Sequence, residues 1–146
     1  MKPLEGRVAI VTGASAGIGE AVARALAASG AAVVINARRV ERLESLRASI
    51  ESDGGKATVC AGDAADPELI ERLFTTAAGA FDTPADLVVV NAGRGLSGSV
   101  LTSDPSQWEE MLRVNLMGAA RLMRTASERM AQDIERRGDW RSHPHD

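Results

Sequence analysis

The sequence contains no tyrosine, so no residue of this chain can act as a phenolic proton donor. Lysine occurs only as Lys2 and Lys56, which leaves almost no scope for amine chemistry. Cys60 is the single cysteine and excludes an intrachain disulfide, as suits a reducing compartment. It ends a valine-rich run with no histidine or cationic cluster nearby, and reads as a small buried apolar residue. Histidine is confined to His143 and His145, in an aperiodic tail broken by Pro144. With Asp146 they superficially resemble metal ligands. No further histidine exists to complete a site, so a solvated tail and no metal are expected.

Excess positive charge is absent as well. The formal net charge is −3 and the pI about 5.4, so no basic surface points to nucleic acid. No apolar run reaches the length of a membrane span, and the opening "MKPLEGRVAIV" lacks a signal-peptide pattern. The expectation is a cytoplasmic protein without membrane or nucleic-acid partners. Aromatic residues make up 3% of the chain, so each stands out. Trp108 reads as a packing or interface residue and Trp140 as partly exposed.

What is present is ordinary for one folded domain spanning residues 1–146: 45% hydrophobic and 25% charged. Apolar, β-branched runs at 7–13, 31–37, 56–62 and 85–93 are continuous rather than alternating. That marks strands covered on both faces of a parallel sheet. Helical spacing separates them at 17–29, 40–53 and 67–80, punctuated by Gly30, "DGG" and "DP". A longer helical pattern starts at "SDPSQWEE", with Asp104 as cap, Pro105 in the first turn and Glu109 and Glu110 near the N-terminus. It continues, with a kink, to about Arg136. The series Met111, Met117, Met123 and Met130 fits helix packing. This order predicts an α/β fold, a Rossmann-type doubly wound parallel sheet of four strands in the order 3-2-1-4. The fourth strand would then be an edge despite a composition suited to a sheet centre.

The first strand runs into "TGASAGIG", Thr12–Gly19, and then directly into a helix. Free N–H groups and the positive dipole end make such a helix start an anion site. Glycines let the loop turn sharply and let a pyrophosphate approach the backbone. The alternative is a tight strand–helix turn whose glycines serve packing alone. The spacing differs from G-x-G-x-x-G and resembles the T-G-x-x-x-G-x-G signature of the short-chain dehydrogenase/reductase family. "GDAAD" after the third strand, "NAG" at Asn91–Gly93 and "VNLMG" at Val114–Gly118 follow in the family's order. The resemblance extends from Leu4 to Arg136.

The resemblance implies cofactor contacts from Thr12, Gly13, Ser15, Gly17, Ile18 and Gly19 to pyrophosphate and ribose. It implies that Asp63 and the backbone of Ala64 meet the adenine, and that Asn91, Ala92 and Gly93 line the nicotinamide end. Asp63 could equally be a turn or cap residue, and Asn91 could satisfy loop backbone groups at the same time. The second strand ends in "INARR". Where an acid would accept the adenosine ribose hydroxyls there is Ala37, followed by Arg38 and Arg39. Arg38 can offer paired donors to a phosphate, and family members with such an arginine prefer NADP. NADP is therefore expected over NAD. Solvated charges at a helix start are the alternative, and Ala16 stands where some NADP-binding members carry a basic residue.

The family's catalytic set is mostly missing. Asn115 matches its helix asparagine, in a supporting role only. The tyrosine and lysine of Y-x-x-x-K have no counterpart, and no serine follows a fifth strand. Without those partners, Asn115 is expected to serve a kink or a helix–helix hydrogen bond. The sequence resembles the first half of a reductase, truncated before its catalytic residues. Three readings follow: an NADP-dependent oxidoreductase acting on a carbonyl or alcohol if completed, a non-catalytic dinucleotide-binding module, or a non-functional remnant. A homo-oligomer through the last helix is compatible with the first.

Overall fold

The computed structural model describes residues 1–138; Trp140, His143, His145 and Asp146 lie outside the described residues. Four parallel strands, β1 (Val8–Val11), β2 (Ala32–Ile35), β3 (Lys56–Val59) and β4 (Leu87–Val89), form one sheet in the order β3-β2-β1-β4. Ile10 stands beside Val34 on one side and Val88 on the other. The helices are α1 (Gly17–Ala28), α2 (Val40–Ser52), α3 (Pro67–Phe81), α4 (Pro105–Leu112) and α5 (Ala119–Arg137). The doubly wound order expected from the sequence is therefore present.

Strand side chains alternate between two cores because successive residues point to opposite faces. Val8, Ile10 and Val34 meet Leu69, Leu73 and Phe74 of α3 and Leu122 of α5. Ala9, Val11, Val33 and Ile35 meet Ala23 of α1 and Leu43 and Leu46 of α2. Each fully buried Leu or Ile contributes about 1.5–3 kcal/mol. β1 is wholly buried, whereas β4 is half-buried at the edge. Cys60 is buried, as expected.

All four strands are shorter than their apolar runs, and side chains explain where β4 and β3 stop. Beyond Val89, the Thr12 hydroxyl accepts from the N–H groups of both Asn91 and Ala92, at 3.0 Å each. Those N–H groups are lost to a ladder. Beyond Val59, the Asn36 amide donates to the carbonyls of Cys60 at 2.9 Å and Gly62 at 3.3 Å.

Asp66 caps α3 and Asp104 caps α4, each accepting a backbone N–H and each followed by proline. Neither α1 nor α2 has a side-chain cap. The long C-terminal helical pattern includes a π-helical segment at Arg113–Gly118 that joins α4 to α5. Glu110 lies in the last turn of α4, away from the N-terminus it was expected to favour. The methionine series is corrected in part. Met130 packs on the core, but Met117 and Met123 are exposed. Among the described residues, no helix is long and apolar enough to cross a membrane.

Candidate functional site

The C-terminal ends of β1, β2 and β3 open on a cleft of about 350 Å³. This is where open parallel sheets bind ligands, since helix N-termini converge there. A wider hollow of about 1040 Å³ lies at the other ends of the strands, beside Ala27, Gly55 and Phe81. The C-termini of α1, α2 and α3 face that hollow, and their negative dipole ends disfavour an anion.

The glycine loop is built by three different constraints. A Cβ at Gly19 would drive into the carbonyl oxygen of Gly13, so Gly19 is required for packing inside the chain. Gly13, at φ +65°, would carry its Cβ 2.9 Å from the Asn91 amide nitrogen. Gly17, at φ +58°, has nothing within 4 Å. Only Gly17 therefore faces open space in the manner a close pyrophosphate needs. Packing thus accounts for two of the three motif glycines.

Thr12 is fully buried, with its hydroxyl committed to Asn91 and Ala92 and its carbonyl to the Asn91 amide. Thr12 thereby shapes the loop from beneath it. The Asn91 amide donates to the carbonyls of Thr12 and Gly13, at 3.2 Å each. Its loop-satisfying role is present. Ser15, Ala92 and Gly93 line the cleft, and Ile18 stands exposed on the uncapped start of α1.

Asp63 is both a turn residue and a cleft residue. One carboxylate oxygen accepts from the Ala65 N–H at 2.9 Å, and the other from Arg113 at 2.7 Å. Burial pushes its carboxyl up, but the Ala65 N–H and Arg113 outweigh that and hold it below the usual range. Ala64 lines the cleft beside it. Arg38 reaches Glu110 at 3.3 Å and Asp63 at 3.6 Å. Arg39 and Arg42 also line the cleft, and among the described residues neither has a carboxylate within ion-pair distance.

Asn115 lies in the π segment and pairs with both backbone groups of Arg94, at 2.6 and 2.8 Å. The expected helix–helix bond is thus replaced by a helix–loop bond, which fixes the loop after β4. Sequence reasoning missed Arg42, Arg94, Glu110 and Arg113. Arg42 was findable, one helical turn beyond Arg38 in "ARRVER". The others reach the cleft only through tertiary packing.

The cleft suits an anionic dinucleotide on its own chemistry. Arg38, Arg39, Arg42 and Arg94 line it against one carboxylate, Asp63. α1 and α2, which follow β1 and β2, lack side-chain caps and leave N–H groups for a ligand, whereas Asp66 caps α3. The Asn36 side chain is buried behind it, its amide donating to Cys60 and Gly62 and its carbonyl oxygen unpartnered. Among the described residues no cluster of histidine, cysteine and carboxylate side chains could hold a metal.

Comparison with known proteins agrees with this geometry. The family model described as short chain dehydrogenase matches residues 7–139. A short-chain type dehydrogenase/reductase of Picea abies is 39% identical over 138 residues, covering 88% of this chain and 51% of that protein. A fatty acyl-CoA reductase of Acinetobacter baylyi is 37% identical over 122 residues, covering 82% of this chain and 41% of its own length. The crystal structure of a metagenomic short-chain oxidoreductase in complex with NADP superposes with a TM-score of 0.79 at 38% identity. That match covers 89% of this chain and 59% of the other. The chain thus spans about half the length of these relatives.

Proposed function

The chain belongs to the short-chain dehydrogenase family, and we propose that it is the cofactor-binding part of an NADP-dependent oxidoreductase. The substrate class is a carbonyl or the corresponding alcohol. The observation that carries the reading is the arginine cluster at the end of β2. Ala37 stands where an acid would repel a 2′-phosphate, and Arg38, Arg39 and Arg42 line the cleft around it.

A bound nicotinamide cofactor supplies the hydride, and the protein's share is placement and electrostatics. The uncapped N-terminus of α1, with Ser15 and Gly17, receives the pyrophosphate. Asp63 and Ala64 border the adenine. Asn91, Ala92 and Gly93 form the wall beside the nicotinamide, held by Thr12 from below. Asn115 fixes the continuation of that wall at Arg94. The proton donor for a carbonyl oxygen is proposed to stand outside these residues, since the sequence has no tyrosine.

The same absence of tyrosine supports a second reading, dinucleotide binding without turnover. Titration of the chain with NADPH and NADH, followed by nicotinamide fluorescence, tests the binding shared by both readings. Saturable binding that favours NADPH supports them, and no binding of either overturns them. Oxidation of NADPH by a panel of aldehydes and ketones, assayed with the protein isolated from its native source, then separates the oxidoreductase from the module.

A further inference from the structure

Four charged side chains close a ring at the adenine end of the cleft. Arg113 clasps Glu110 through Nε at 2.8 Å and Nη2 at 2.7 Å, and the same Nη2 reaches Asp63 at 2.7 Å. Arg38 completes the ring to Glu110 at 3.3 Å and to Asp63 at 3.6 Å. The residues come from the end of β2, the turn after β3, α4 and the π segment. Its two positive and two negative charges balance.

The ring is not uniform. Arg113 makes three short contacts, whereas both contacts of Arg38 are long and its side chain is 54% exposed. Arg38 is the member most easily withdrawn. Glu110 would keep its two-pronged pairing with Arg113, so losing Arg38 leaves no carboxylate unpaired. Yet Arg38 is also the residue positioned beside Ala37, Arg39 and Arg42 to meet a phosphate in the cleft.

We propose that Glu110 sets cofactor specificity by competing with the adenosine 2′-phosphate of NADP for Arg38. The inference rests on the NADP reading of the cleft. A 2′-phosphate must draw Arg38 away from Glu110 before it gains the full charge of the guanidinium. NAD carries a neutral hydroxyl at that position and leaves the ring closed. Glu110 therefore weakens NADP binding and leaves NAD binding untouched, narrowing a preference that the arginines create.

The test is calorimetric titration of the full chain with NADP and NAD, in unaltered form and as Glu110→Gln, Arg38→Gln and the double variant. The amide introduced by Glu110→Gln still offers Arg113 an oxygen, and the charge is gone. Glu110→Gln should bind NADP about three- to fivefold more tightly, the scale of one exposed ion pair, with NAD affinity unchanged. In the Arg38→Gln background the same change should leave the NADP-to-NAD ratio where it was. The unaltered chain gives a second readout: the Arg38 guanidinium resonances should shift further on NADP than on NAD. An unchanged ratio in Glu110→Gln, or equal Arg38 shifts with both dinucleotides, overturns the role of Glu110 alone. Failure of the unaltered chain to bind either dinucleotide overturns the cofactor reading and this inference with it.

Discussion

Asn115 holds Arg94 by both of its backbone groups, accepting from the N–H at 2.6 Å and donating to the carbonyl at 2.8 Å. A helix residue thereby replaces the strand partner that Arg94 lacks beyond β4. The bond also marks the place where the helix departs from α geometry, at Arg113–Gly118. Gly118 completes the fit, since a Cβ there would lie 3.0 Å from Ala65. The π segment and the loop after β4 are one arrangement.

Asn115→Ala should therefore release the loop after Asn91. Each lost hydrogen bond is worth about 0.5–1.5 kcal/mol, so the loss of global stability should be modest. Amide exchange at Arg94 and Gly95 should accelerate far more than exchange in β1. Exchange mass spectrometry of the variant against the unaltered chain checks this.

The motif glycines should separate on substitution. Gly19→Ala forces a methyl into the Gly13 carbonyl and should cost about 3 kcal/mol or more. Gly17→Ala meets no atom and should cost only the left-handed penalty, about 1–2 kcal/mol. Its larger effect should be on dinucleotide affinity. Urea unfolding paired with NADPH titration distinguishes the two.

Thr12→Val keeps the shape of the side chain and removes its oxygen. Asn91 and Ala92 then lose the acceptor for their N–H groups, at about 1–3 kcal/mol for buried donors left unpaired. Thr12→Ser should retain most of the stability. Denaturation midpoints of the two variants give the comparison.

Acid should weaken the charged ring. Arg113 first, and then Arg38, lower the Glu110 carboxyl from the ordinary 4.5 to about 2, and Asp63 is lowered too. A folded-state value below the unfolded one stabilises the fold at pH above the unfolded value. That contribution is lost as pH falls through the folded value. Stability should therefore decline from about pH 4.5 toward pH 2, and Glu110→Gln should decline less over that window. Urea midpoints measured across it at constant ionic strength check the sign.

The sheet was legible because parallel strands buried on both faces leave unbroken β-branched runs. "VAIV" and "AVVI" could hardly be anything else. Strand ends were less so. Thr12 and Asn36 stop β4 and β3 through bonds to residues far along the chain, and no local pattern reports that. The caps Asp66 and Asp104 were local and were readable. The glycine loop, Arg38 and Asp63 were visible through their motifs, while the roles of Glu110 and Arg113 were not. They reach Asp63 and Arg38 only after the helix beyond β4 packs back over the cleft.

The central claim is that the cleft reads the adenosine 2′-phosphate. Its most direct measurement is calorimetric titration of the full chain with 2′-phospho-ADP-ribose and with ADP-ribose, ligands that differ only in that group and carry no nicotinamide. Charge-assisted contacts from the arginine cluster should make the phosphorylated ligand bind about tenfold more tightly or better. Added salt should erode the difference. Equal affinity for the two ligands, or tighter binding of ADP-ribose, would contradict the account.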